Sequence, residues 1–219
     1  MKKFYRKELF FTVLILPLAT NKVVIFLPIF GYKIAEKPYI LYIKMKGMMI
    51  MKMYATGSSA DKLYGYNIYK LPWINLKEEF KRILLEEKCD TAYSGMGLGI
   101  ETVFAQAVLE LKQAGNPIKL ICVLPCNNVE SKWPGAAKNL YHKILRSADE
   151  VITIIKSDYK PWAAQKRDEY VLKKIDTVII MMAEDDKCFF SKKAKSGEVD
   201  HRMLDYKEFI PIPKKRQLL

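Results

Sequence analysis

A chain of 219 residues, half of them hydrophobic, is long enough for one good core with extensions, and it is too apolar to be disordered through its middle. The formal charge is +13, yet residues 1–53 hold 10 Lys and Arg against 2 Asp and Glu, residues 187–219 hold 9 against 4, and residues 54–186 hold 18 of each. The basicity sits in the ends and the body is neutral, which argues against nucleic-acid binding by the body, because such a body carries a basic footprint.

Residues 1–47 differ in character from the rest of the chain. Met1–Lys7 is basic, Leu9–Leu16 is apolar and ends at Pro17, and a second apolar run spans Val23–Phe30. The first run is too short to cross a bilayer, and joining the two places Lys22 inside. Three readings are open: an extension outside the functional domain, a membrane-contacting anchor, or a signal peptide with a poor cleavage site at Leu18-Ala19-Thr20. Met45, Met48, Met49, Met51 and Met53 cluster where the body begins, so the working protein is expected to start near Met49–Met53.

The body, residues 48–186, alternates short apolar runs with amphipathic segments. Strands are expected at Met48–Ala55, Thr91–Ser94, Lys119–Leu124, Val151–Ile155 and Thr177–Met182. Helices are expected at Asn75–Lys88, Glu101–Gln113, Ala136–Ala148 and Pro161–Lys174. Val151–Ile155 reads as a strand buried on both faces. This order argues an α/β fold: a Rossmann-like three-layer sandwich with a mainly parallel sheet of five or six strands. Residues 187–219 read as a basic tail, disordered or loosely docked, with Phe209–Pro213 as a short strand at most.

Ligands of such sheets sit outside the carboxyl ends of the strands. That mouth gathers Thr56–Asp61, Ser94–Gly99, Pro125–Trp133, Ser157–Trp162 and Ala183–Asp186. The most informative stretch is Thr91–Phe104, TAYSGMGLGIETVF, where an apolar run closes on Ser94 and Gly95, Gly97 and Gly99 precede a helix. Glycines let the backbone approach a ligand, and amides at a helix N-terminus favour an anion, so the turn reads as a phosphate cradle. The alternative is a turn that serves only tight strand–helix packing. Glu101 reads as a helix-start acid favoured by the macrodipole. Cys89, Cys122, Cys126 and Cys188 form no paired CxxC framework, so free thiols in a reducing, cytoplasmic compartment are expected, without a metal site.

Several stretches together resemble the YpsA-like branch of the SLOG superfamily, the Rossmann-like group that includes LOG phosphoribohydrolases and the DNA-processing protein DprA. They are DKLYGYN, YSGMGLGIETVFAQAVLELK, LPCNNVESKWP, LYHKILRSADEV and YKPWAAQKRDEYVLKKID, lying between Lys52 and Met182. The resemblance implies a domain that binds nucleotides or nucleotide-derived ligands. It also exposes departures. The TGHRP that usually ends the first strand is Thr56-Gly57-Ser58-Ser59-Ala60 here, and serine cannot replace the arginine's charge. The RN pair of the fourth helix is Arg167-Asp168, and the glycine-rich GGT loop after the fifth strand is replaced by AEDDKCFFSKKAK.

The expectation is therefore non-catalytic binding of a nucleotide-like molecule, with no further cofactor. Gly95, Gly97 and Gly99 would bring backbone to the ligand, Thr56, Gly57, Ser94 and Pro125 would contact it at the same mouth, Arg167 would supply phosphate charge, and Lys132 and Trp133 would line one wall. The alternatives are a structural or interaction protein with a decayed pocket and basic ends touching membrane or partners, and, third, an N-glycosidic phosphoribohydrolase. A homo-oligomer is compatible with this fold.

Overall fold

The structure is a computed structural model that describes residues 50–211 and three strand segments at 10–17, 22–30 and 33–34. Contacts divide the chain into two units, Met1–Met49 and Ile50–Leu219. In the first, β1 (Phe10–Pro17), β2 (Lys22–Phe30) and β3 (Lys33–Ile34) form an antiparallel sheet in the order β1-β2-β3, with Phe10 opposite Ile29. The expected signal peptide, membrane contact and late start fall largely outside the described residues. No helix among the described residues is long and apolar enough to cross a membrane.

The second unit is built on six parallel strands: β4 (Met51–Gly57), β5 (Cys89–Ser94), β6 (Lys119–Cys126), β7 (Glu150–Ile155), β8 (Thr177–Met182) and β9 (Asp200–Asp205). Their order is β7-β6-β5-β4-β8-β9. This unit begins with β4 in the middle of its sheet, winds outward through α1 (Leu71–Glu86), α2 (Ile100–Gln113) and α3 (Gly135–Ser147), then returns through α4 (Ala163–Leu172) to β8 and through α5 (Phe189–Lys195) to β9. The winding reverses between β4 and β8, which makes that junction the topological switch point. One core joins α1, α2 and α3 to the sheet through Trp73, Leu76, Phe80, Phe104, Val108 and Ile144. A smaller core on the other face holds Tyr54, Val123, Val171, Ile180 and Phe190. This is the expected three-layer α/β fold, with six strands.

Several boundaries, and the place of one strand, differ from the sequence reading. α1 begins four residues early, at Leu71, because Pro72 sits in its first turn and Trp73 is buried. β6 runs through Pro125 to Cys126; its pairing with β5 ends at Cys122, so beyond that point a residue lacking an N–H is tolerated. β7 is an edge strand with Val151 exposed, not a strand buried on both faces. α4 starts at Ala163, after Pro161 rather than on it.

The C-terminal segment departs furthest from the sequence reading. Residues 187–211 are not loose: α5 buries Phe190 and Ala194, and β9 pairs in parallel with β8 from Thr177↔Asp200 to Met182↔Asp205. Phe209 closes a 3₁₀ turn, Tyr206–Phe209, and is buried, so it does not begin a strand. Residues 212–219 lie outside the described residues.

Candidate functional site

The carboxyl ends of the six strands face one side, and three features converge there. The first is the glycine turn between β5 and α2. Ser94 is fully buried; its hydroxyl donates to the Glu101 carbonyl at 2.9 Å and accepts from the Met96 amide at 3.2 Å. Thr102 donates its hydroxyl to the Gly97 carbonyl at 2.7 Å. Gly99, at φ +98°, is the N-cap of α2, in a region that side-chain-bearing residues rarely enter.

The expected anion position is filled by the chain itself. Glu101, in the first turn of α2, accepts the Gly97 amide on Oε2 at 2.6 Å and the Tyr54 hydroxyl on Oε1 at 2.5 Å. Arg167 reaches across from α4 and donates Nη1 to Glu101 Oε2 and to the Gly95 carbonyl, both at 3.3 Å. Its Nε and Nη2 donate to Asp168 Oδ1 at 3.0 and 2.8 Å. Every nitrogen of the guanidinium is thus engaged internally, and the side chain is only 12% exposed. The glycines make room for this ion pair: a Cβ at Gly97 would lie 2.7 Å from Glu101 Oε2, and one at Gly95 would meet both Arg167 and Glu101.

Burial governs the chemistry of the cluster. It raises the Tyr54 hydroxyl well above its ordinary pKa, against the pull of Arg167, so the phenol stays a donor. It also raises the Asp168 carboxyl, opposed by Arg167. Burial works against the Arg167 charge, but the Glu101 and Asp168 carboxylates outweigh it and hold the guanidinium protonated.

The second feature is the switch point. Ser58, standing where the resemblance expects a histidine, donates its hydroxyl to Asp186 Oδ2 at 2.7 Å and accepts the Ala183 amide at 2.9 Å. Lys62 pairs with Asp186 at 3.1 Å. Hydrogen bonds from Ser58 and Lys62 hold the Asp186 carboxyl below its ordinary value. Thr56 is buried beside β8, and a Cβ on Gly57 would collide with the Met181 carbonyl. Gly57 therefore serves close strand approach.

The third feature is a cavity of about 280 Å³ on the α2–α3 side of the glycine turn. Leu98 and Thr102 form its floor, Pro134, Ala137 and Leu140 one wall, and the loop Tyr66–Tyr69 the other. The sequence reading placed Lys132 and Trp133 on a wall. Lys132 is exposed, and Trp133 packs edge-to-face on Tyr141 at 5.3 Å, partly buried against the core; the cavity begins one residue later, at Pro134. Pro125 is buried at the end of β6. The structure brings Ser94, Gly95, Gly97 and Arg167 together, with Gly99 alongside. Sequence reasoning missed Tyr54, the tyrosine loop and the partnership of Glu101 with Arg167. The four-residue spacing of Gly97 and Glu101 was the available signal. Among the described residues no cluster of three His, Cys, Asp or Glu has the arrangement of a metal site.

A parallel sheet wound in two directions from its centre, with a glycine turn opening α2, defines a Rossmann-like protein with a nucleotide-related fold. The family model described as the YspA SLOG family matches residues 66–207, and the chain belongs to this YpsA family. A UPF0398 protein of Brevibacillus brevis is 27% identical over 164 residues, covering 71% of this chain and 87% of that protein. One from Halalkalibacterium halodurans is 34% identical over 136 residues, 59% of this chain and 71% of that protein. The X-ray structure of DNA processing protein A (DprA) from Streptococcus pneumoniae is similar at a TM-score of 0.49 and 19% identity, over 70% of this chain and 50% of that chain.

Proposed function

We propose that this chain is a non-catalytic binding protein, a ligand sensor for a nucleotide or nucleotide-derived small molecule held at the carboxyl ends of the sheet strands. The observation that carries the reading is the cavity of about 280 Å³ beside the glycine turn, lined by Leu98 of that turn and Thr102 of α2. A concave, mostly apolar site with a few polar groups, at the strand ends of an α/β sheet, is where this architecture takes small ligands.

Hydrolysis of an N-glycosidic bond has less support. Glu101 and Asp168 are both tied to Arg167, and Ala183–Asp186 presents acids where a glycine-rich loop would be needed. An interaction protein is the second reading, favoured by exposed Tyr66, Tyr69, Leu71 and Ile74 around the start of α1.

The test is thermal unfolding of the full chain against a panel of bases, nucleosides and nucleotides. A ligand at a hundred times its dissociation constant adds roughly 2.7 kcal/mol. Gly97→Asp places a second carboxylate against Glu101 and should abolish the shift. A panel without any shift, from folded protein, would refute the binding reading and favour the interaction surface.

A further inference from the structure

The glycine turn and the cavity beside it make opposite demands on a ligand. The turn is complementary to an anion, but Glu101 already supplies one. Its carboxylate takes the Gly97 amide at 2.6 Å and the Arg167 guanidinium at 3.3 Å. A phosphate entering there would meet a carboxylate with no spare cation, since the rest of Arg167 is bound to Asp168 and the Gly95 carbonyl. Lys62 is paired with Asp186, and Lys70 gives one of its protons to the Tyr64 carbonyl at 3.0 Å. Like charges placed in contact in a partly desolvated site repel strongly.

The cavity has a different character. No charged side chain lines it. Its walls are apolar, Asn67 supplies an amide whose Oδ1 already accepts the Tyr69 backbone N–H at 3.1 Å and whose NH₂ is a donor, and Tyr66 and Tyr69 flank it with exposed rings. Its volume is at the small end of the range for ligand sites, which suits one ring system and little more. Aromatic faces with a single amide suit a planar heterocycle, stacked on its faces and read at its edge.

We propose that the ligand is uncharged and planar, of the nucleobase or nucleoside class, seated between the Tyr66–Tyr69 loop and the start of α3, with Glu101 standing in cis where a nucleotide's phosphate would lie. This rests on the small-molecule reading above and narrows it. The chain would then respond to dephosphorylated species and discriminate against the nucleotides made from them.

The test is calorimetric titration of the full chain with adenine, adenosine and adenosine 5′-monophosphate, the corresponding guanine series, and inorganic phosphate. Two variants accompany it. Ala137→Trp fills the cavity from α3, and Glu101→Gln removes the charge while keeping a carbonyl for the Gly97 amide. A base or nucleoside should bind, its 5′-monophosphate should bind at least about tenfold more weakly, Ala137→Trp should abolish binding with an unchanged unfolding temperature, and Glu101→Gln should narrow the gap. A monophosphate that binds more tightly than its nucleoside would overturn the inference and leave the small-molecule reading standing. Nucleoside binding indifferent to a folded Ala137→Trp would overturn the placement. No binding by any of these probes would overturn both.

Discussion

Glu101 and Arg167 meet over the carboxyl end of β5, Oε2 to Nη1 at 3.3 Å, although they stand on helices covering opposite faces of the sheet. Their side chains are 10% and 12% exposed, and Asp168 and the Tyr54 hydroxyl complete the cluster. The pair fastens α2 to α4 across the sheet end and fills the glycine turn from within. Removing Arg167 leaves two carboxylates buried without a counterion, whereas removing all the charges leaves nothing uncompensated. Arg167→Met should therefore cost about 3–5 kcal/mol, and Arg167→Met combined with Glu101→Gln and Asp168→Asn should cost clearly less. Urea unfolding of the three proteins measures this. Equal losses in the single and triple variants would show that packing, not charge, matters here.

Gly57 is under a different kind of constraint. It lies opposite Met181 in the β4–β8 pairing, and a Cβ there would penetrate the Met181 carbonyl, which is backbone and cannot swing aside. Gly57→Ala should be among the most damaging single changes, costing more than about 4 kcal/mol or preventing folding. Gly115→Ala is the matched control. Gly115 has φ +89° but nothing within 4 Å of a built Cβ, so only the left-handed backbone penalty of roughly 1–2 kcal/mol applies. Circular dichroism with thermal unfolding of both proteins compares collision with conformation.

The central strands and their helices were legible in the sequence because burial on one or both faces stamps a period on the residues; Thr177–Met182 is an example, four of its six residues being buried. β9 left no such mark. As an edge strand it buries only Leu204, so its letters read as a polar tail. The apolar run of β7 was legible as a strand, but nothing local says that it lies at an edge. In the site, the glycines were visible and their purpose was not. Clearing space for an ion pair and clearing space for a phosphate demand the same missing Cβ, and the partner that decides between them is 66 residues away.

Asp149 joins three elements and gives a pH signature. It stands just after α3, and its Oδ2 accepts the Leu120 amide at 2.7 Å and Lys112 Nζ at 2.6 Å. Burial alone would raise its carboxyl, but Lys112 and the Leu120 amide outweigh it and hold the pKa below the ordinary value of 3.8. A carboxyl depressed in the folded state contributes stability that is complete above its unfolded pKa and fades as pH falls through the folded one. Asp149→Asn should thus be less stable than wild type near neutrality, with the difference closing below about pH 4. Denaturation midpoints of the two proteins across that range check it; a constant difference would assign the loss to packing.

Phe190 ties the C-terminal segment to the sheet. It is 1% exposed, its ring centroid is 5.0 Å from that of Tyr54, and it belongs to the core beneath α4. That contact places the segment after β8 inside the cooperative unit, and β9 protects the β8 edge along six residue pairs. Phe190→Ala should cost about 3–5 kcal/mol, as for a large aromatic removed from a packed core. Lys192→Ala, at an exposed position on the same short helix, should stay within about 0.5 kcal/mol. Urea unfolding separates the two cases. A neutral Phe190→Ala would mean that residues 187–211 are dispensable and that the sheet is stable with five strands; a large loss would make β9 and α5 integral to the domain that carries the site.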